Sequence, residues 1–430
     1  MRQTVNTAAT TCRDSGPPDP AAPREDSAAP PSPPATPRQA SPGRPGAAGR
    51  RTGRHRLAVV DVQRLTADAV AVTLDVPDVL RDVFAHRPGE HVVVRHRRAD
   101  GAELRRSYSV CPPPADPTAL RLVIRRGAPG GFGDHAVTGL VPGDVLELSP
   151  PTGTFALPEH PGGHHVLVGG GSGITPLAAL AAAALREDPA CRVSIVHSVP
   201  TAADALLADE LAELKDAFVD RLTVTHVLTR ESGSGLPGGR IDDAKLSRLL
   251  TALDALPGPD TTFALCGPAG MVAAVRRSLT EWGADPARIR SELFTPADES
   301  SADAPSPSAP PLPSTPALSA PAHSTPSPST PPPTAPTPHG TRITALLDGR
   351  SRTVTASRDA TVLDALLPAH PDVPYACREG ICGSCRARVL TGRVTTGPQH
   401  ALGAEEQAAG YTLVCRARPL SSELTLDFDV

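Results

Sequence analysis

Aromatic residues are scarce in this chain of 430 residues: one Trp, three Tyr and seven Phe, with only two Met. Basic and acidic side chains nearly balance, 42 against 46, for a net charge of −4. A dedicated nucleic-acid binder needs a basic face, commonly with aromatics to stack on bases, so that class is not expected. Long apolar runs are missing too. The longest, Leu177–Leu185, falls well short of the ~20 residues that cross a bilayer. No apolar secretory core follows Met1. The eight cysteines do not form a disulfide framework, because four group near the C-terminus and the others scatter. The expectation is a reduced, cytoplasmic protein with neither a membrane nor a nucleic-acid partner.

Proline is abundant, with 51 residues, and it is unevenly spread. Residues 1–53 mix Pro, Ala, Ser, Gly and Arg without one aromatic. Such a segment buries too little apolar surface to offset its ordering entropy, so a disordered tail is expected. Residues 297–340 are a second Pro-, Ser- and Thr-rich stretch and read as a linker. Drawn out as polyproline II, it would reach about 130 Å. Between and beyond these stretches, folded units are expected over 54–158, 159–296 and 341–430.

The last unit holds the sharpest pattern. Cys377, Cys382 and Cys385 are spaced C-x4-C-x2-C, and Cys415 follows after a long gap. That is the plant-type [2Fe–2S] spacing. One loop supplies three thiolates to the metal cluster and a distant element supplies the fourth. Gly380, Gly383 and Ser384 are small, so backbone N–H groups can approach the sulfides. Zinc sites favour two C-x2-C pairs, and only one is present. Upstream, segments 343–347 and 353–356 flank Asp348-Gly349, a hairpin signal, and 361–367 reads as a short helix.

Over 56–157 the pattern is short β segments at 57–62, 70–74, 91–96, 120–125 and 145–149. They are punctuated by Pro88-Gly89, Asp100-Gly101 and Pro142-Gly143. A small antiparallel barrel is expected. Arg106-Ser107-Tyr108-Ser109 falls between two of these segments. A flavin nucleotide needs a cation for phosphate, a flat ring to stack on and a small donor near N5; Arg106, Tyr108 and Ser109 offer all three. The same four residues also suit an ordinary strand.

From residue 165 the grammar changes to alternating strands and helices, the pattern of a parallel sheet covered on both faces. Gly169-Gly170-Gly171-Ser172-Gly173-Ile174-Thr175 joins its first strand to a helix, where glycines and a helix N-terminus can receive a pyrophosphate. A tight strand–helix turn would use the same residues.

Together these segments resemble the ferredoxin–NADP reductase superfamily, fused to a plant-type ferredoxin domain. The resemblance rests on Arg106-Ser107-Tyr108-Ser109, on Gly169–Thr175, on Cys266-Gly267-Pro268, and on the cysteine loop with Gly410-Tyr411-Thr412-Leu413-Val414-Cys415. It implies a multidomain fold: an antiparallel β-barrel for flavin, an α/β parallel-sheet nicotinamide domain and a β-grasp ferredoxin domain. It also implies FAD, a [2Fe–2S] cluster and NADH or NADPH as donor, with an oxygenase or hydroxylase as electron acceptor. The implied roles are specific. Arg106 holds the flavin pyrophosphate, Tyr108 packs on the ring and Ser109 lies near N5. Val123, Arg125, Gly130, Gly131, Phe132 and Gly133 form the second flavin segment. Gly170, Gly171, Gly173, Thr175, Gly267 and Pro268 hold the dinucleotide, and Cys266 lies beside the nicotinamide. Glu292 and Phe294 close the site near the flavin.

Two features depart from the pattern. Gly133 stands where a Ser or Thr is usual, so a hydroxyl contact is lost. Ser198-Val199-Pro200-Thr201 carries no cation for a 2′-phosphate, which leaves NADH at least as well suited as NADPH. A rival reading is a non-enzymatic interaction protein, with a zinc module on a degenerate reductase scaffold.

Overall fold

The computed structural model describes residues 53–98, 100–111, 119–231, 238–294 and 340–430. The tail expected over 1–53, apart from its last residue, lies outside these residues. So does the linker expected over 297–340, apart from Gly340.

The first unit is a six-stranded antiparallel sheet. In chain order it comprises β1 (His55–Thr66), β2 (Ala69–Asp75), the one-turn helix α1 (Arg81–Phe84), β3 (His91–Arg97), β4 (Glu103–Ser109), β5 (Ala119–Arg125), the two-turn helix α2 (Phe132–Thr138) and β6 (Val145–Leu148). The order is β4-β3-β6-β1-β2-β5, and a bridge between Val110 and Leu122 brings the two edges together. Alternation along the strands turns Leu57, Val59, Val70, Val72, Leu74, Val92, Val94, Leu122 and Ile124 into one core. The Arg106–Ser109 tetrad lies within a strand, β4. Polar residues hid it, because Glu103–Ser107 carry no apolar alternation.

The second unit is a parallel sheet of order β11-β10-β7-β8-β9. It is built from β7 (His164–Gly170), α3 (Ile174–Glu187), β8 (Arg192–Val199), α4 (Ala208–Ala217), β9 (Leu222–Leu228), α5 (Asp243–Ala252), β10 (Thr261–Pro268), α6 (Ala269–Glu281) and β11 (Ile289–Phe294). α3 and α4 pack with one face of the sheet, α5 and α6 with the other. Asp242 caps α5 by accepting from the Lys245 amide. Helix α4 does not follow β8 directly. Thr201 and Asp204 form a capping box that opens a separate 3-10 turn first.

The third unit contains β12 (Thr341–Leu347), β13 (Arg350–Ala356), α7 (Val362–Leu366), β14 (Arg386–Thr391), β15 (Val394–Thr396), α8 (Ala404–Ala408), β16 (Tyr411–Leu413), β17 (Ala417–Pro419) and β18 (Glu423–Asp427). Its main sheet runs β13-β12-β18-β14-β16, with β12 and β18 parallel. Helix α7 packs with this sheet's core, as in a β-grasp. Asp348 and Gly349 both have positive φ, 55° and 66°, which gives the two-residue turn that joins β12 to β13. The three sheets pack as one unit.

Candidate functional site

The strand ends of the parallel sheet set the register of the site. In adjacent strands, Gly169 of β7 pairs with Cys266 of β10, and Cys266 pairs with Glu292 of β11. These three residues therefore form a row at the carboxyl edge, where such sheets bind ligands. Two glycine segments meet there. A Cβ on Gly173 would lie 2.2 Å from the Cys266 carbonyl oxygen, and one on Gly267 2.9 Å from the Gly170 nitrogen. Both glycines are required for the backbones to touch. Thr175 is buried, and its hydroxyl donates to Ser172 O at 3.0 Å. It shapes the loop that opens α3 without pointing a donor outward. The loop has a second anchor that sequence reasoning missed. His197 of β8 is fully buried, with Nε2 2.9 Å from Gly171 O. Burial holds its imidazole neutral, down to about 4.

On the barrel side, β3 and β4 pair so that His91 faces Ser109, Val92 faces Tyr108 and Val94 faces Arg106. Arg106 and Tyr108, two apart, share one face of β4. Arg106 Nη1 donates to Arg105 O at 3.0 Å, and the buried Ser107 hydroxyl has no partner. Tyr108 meets Phe132 edge-on at 5.8 Å, and burial raises its phenol. Phe132 itself is buried in the barrel core, so its ring supports Tyr108. Val123 is likewise buried, in the core shared with the parallel sheet.

Two N–H groups of the second flavin segment are already engaged. Gly130 donates to Asp134 Oδ2 at 3.1 Å and Gly131 to Ala128 O at 3.0 Å. Those of Phe132 and Gly133, in the first turn of α2, have no helical acceptor. A Cβ on Gly133 would lie 2.4 Å from Arg125 O. The hydroxyl missing from this position is thus excluded by the close approach of α2 to β5. Arg125 donates to Asp68 Oδ2 at 2.8 Å, and its Nη1 is 3.5 Å from where a Gly171 Cβ would sit. It therefore stands where the two domains' loops converge. At the end of β8, where the resemblance implies a 2′-phosphate would lie, the Ala202 amide donates to Glu231 at 2.7 Å and the Arg230 amide to Pro200 O. A carboxylate and an arginine thus flank that end of β8.

In the third unit, Cys377, Cys382, Cys385 and Cys415 are neighbours, with Cys385 and Cys415 buried. The amides of Glu379 and Cys382 each approach Cys377 Sγ at 3.4 Å. Gly380 and Gly383 have φ of 73° and 72°, which wrap the loop around these sulfurs. Among the described residues, no three His, Cys, Asp or Glu side chains converge as a single metal ion would require. Two thiols to each of two irons is the demand of a two-iron cluster, and the donor set fits it.

A line of polar side chains runs across all three units. Cys266 Sγ lies 4.0 Å from Glu292 Oε2, Glu292 Oε1 lies 3.9 Å from His91 Nδ1, and His91 Nε2 lies 3.1 Å from Ser384 Oγ. Burial raises the Glu292 carboxyl to about 8, helped by the nearby Cys382 sulfur. Phe294, paired with Pro268, ends β11 beside this line.

A barrel with a flavin-type strand, a dinucleotide-type sheet edge and a four-thiol loop define an NAD(P)H oxidoreductase that uses FAD and a [2Fe–2S] cluster. Three family profiles match. They are an oxidoreductase FAD-binding domain over 56–157, an oxidoreductase NAD-binding domain over 167–277 and a 2Fe-2S iron-sulfur cluster binding domain over 345–420. The chain is 31% identical over 380 residues to a component of the 1,2-phenylacetyl-CoA epoxidase of Escherichia coli strain K12, covering 87% of this chain and 98% of that protein. It is 30% identical to the ferredoxin reductase component of 3-ketosteroid-9-alpha-monooxygenase from Rhodococcus rhodochrous, covering 86% and 96%. The fold also matches full-length cytochrome P450 CYP116B46 of Tepidiphilus thermophilus. There the TM-score is 0.54 at 23% identity, covering 88% of this chain and 42% of that one. The chain belongs to the family of flavin and iron–sulfur reductase components of oxygenases.

Proposed function

We propose that this reductase delivers electrons from NAD(P)H to an epoxidase or hydroxylase component of the type that its phenylacetyl-CoA and ketosteroid relatives serve. The observation that carries this reading is the Cys266–Glu292–His91–Ser384 line, which connects the sheet edge, the barrel strand paired with β4 and the cysteine loop. When bound, the flavin accepts a hydride from the nicotinamide and releases electrons singly, and the cluster carries them one at a time.

The chain's own residues prepare these sites. Arg106 and the amides of Phe132 and Gly133 hold the flavin phosphates, Tyr108 stacks on its ring and Ser109 hydrogen-bonds near N5. Gly170, Gly171 and Gly173 let the dinucleotide approach the start of α3, and Cys266 and Glu292 line the nicotinamide end. Glu292, kept protonated near neutral pH, can hold a proton there without placing a bare charge in the core. Cys377, Cys382, Cys385 and Cys415 bind the irons. Cys111, Cys191 and Cys266, the described cysteines outside the cluster set, are buried free thiols, which suits a reducing cytoplasm.

The purified protein is expected to show both flavin and [2Fe–2S] absorbance. Cys382→Ser should abolish or grossly alter the cluster bands. It should leave reduction of the flavin by NAD(P)H, and of ferricyanide as a small acceptor, near wild type, while transfer to a reconstituted oxygenase component stops. A normal cluster in Cys382→Ser would sink the ligand assignment. A colourless wild-type protein would sink the whole reading.

A further inference from the structure

Among the described residues, side-chain hydrogen bonds between the barrel and the cysteine domain fall in two groups. The first grips the segment ahead of the cysteines. Arg105 donates to Pro371 O at 3.0 Å and to Val373 O at 3.3 Å, with its guanidinium 3.9 Å from the centre of the Tyr375 ring. Arg54 donates to the same Pro371 O at 2.7 Å. All of these contacts lie within five residues of one another along the chain. Such a grip is confined to one short segment of the cysteine domain.

The second group is one residue. His91 is 3% exposed, and its Nε2 lies 3.1 Å from the hydroxyl of Ser384, which sits between Cys382 and Cys385. Among the described residues, no other barrel side chain hydrogen-bonds to the loop from Cys377 to Cys385. Burying an imidazole is costly unless it is hydrogen-bonded. Here the bond is made across a domain boundary, to a partner that belongs to the cluster loop. His91 also faces Ser109 across the β3–β4 ladder, so the strand that carries the flavin residues and the loop that carries the cysteines are joined through one side chain.

We propose that His91 is the positioning residue for flavin-to-cluster transfer. It supplies the contact that ties the cysteine loop itself to the barrel and so fixes the gap that each electron crosses. This inference rests on the reading of Cys382 and Cys385 as iron ligands.

The test uses the full-length holoprotein and three variants: His91→Phe, which fills the site without a ring nitrogen, His91→Gln, which keeps a donor, and Ser384→Ala, which removes the partner from the other side. In rapid mixing with NADH, flavin reduction is the internal reference for Ser384→Ala, whose side chain belongs to the cysteine loop, and should keep its wild-type rate there. Cluster bleaching should slow severalfold in His91→Phe and in Ser384→Ala, because each removes the same contact. It should slow no further in the double variant and should recover in His91→Gln. Independently of turnover, hydrogen exchange of the peptide spanning 381–386 should rise in the oxidised His91→Phe and Ser384→Ala proteins. Ser384→Ala keeps the test decisive where His91→Phe misfolds. Wild-type bleaching and unchanged exchange in a fully loaded Ser384→Ala protein would overturn the proposal. A wild-type chain without cluster absorbance would instead overturn the ligand reading on which it stands.

Discussion

The dinucleotide loop and the cysteine loop are both rich in glycine, yet Gly173 of the first and Gly383 of the second are needed for opposite reasons. At Gly173 the φ is an ordinary −61°, and the constraint is space, because a Cβ would strike the Cys266 carbonyl at 2.2 Å. At Gly383 space is open, with the nearest atom 3.5 Å away, and the constraint is the left-handed φ of 72°. One glycine permits two backbones to touch and the other permits a bend. A glycine-rich motif alone therefore does not reveal whether the chain is cradling a ligand, packing against itself or turning.

This contrast can be broken by substitution. Gly173→Ala should have the largest effect, at or above the ~3 kcal/mol typical of severe over-packing. It should be read as a lower melting temperature and lost flavin reduction by NADH, with the cluster spectrum preserved. Near-wild-type stability would show that the loops can part at little cost.

Acidification should come next and should act on the dinucleotide side. The folded state keeps His197 neutral to about 4, whereas the unfolded chain titrates near 6.5. Its contribution is full above about pH 6.5 and is lost as pH falls toward 4, up to about 3 kcal/mol for a shift of that size. His164, His165 and His226 are shifted in the same direction by burial. Unfolding monitored between pH 7 and 4 should show that His197→Gln flattens this dependence; an unchanged slope would remove His197 from the account.

Gly133→Ser sharpens the comparison within the barrel. It restores the hydroxyl usual in the family, yet it should weaken flavin retention and cost about 1–3 kcal/mol, because the new Cβ meets Arg125 O. Tighter flavin binding would contradict the crowding seen between α2 and β5. Gly383→Ala should be mildest, about 1 kcal/mol for a left-handed residue with room around it, with iron content unchanged. Loss of the cluster would put Gly383 in the same class as Gly173.

Much of this molecule was legible in advance because its signals are local. The Cys377–Cys385 spacing, the Asp348-Gly349 turn and the strand–helix alternation after residue 165 each depend on neighbours in the chain. The polar strand β4 was not legible, because its tetrad is held by pairing with β3 and not by its own apolar pattern. His91 and His197 were hidden for a deeper reason. Each acts on a group 26 or more residues away in sequence, Gly171 for His197 and Ser384 for His91, and nothing around either residue announces it. Gly133 looked like a lost contact and is a steric necessity, which only the distance to Arg125 O reveals.

The place of β18 in the cysteine domain has a consequence for how that domain is made. β18 lies between β12 and β14, so the β12–β13 pair and the β14–β16 pair stay separate until the final strand joins them. A chain released or cut before Glu423 would present two open, unpaired edges, the kind that recruit other chains.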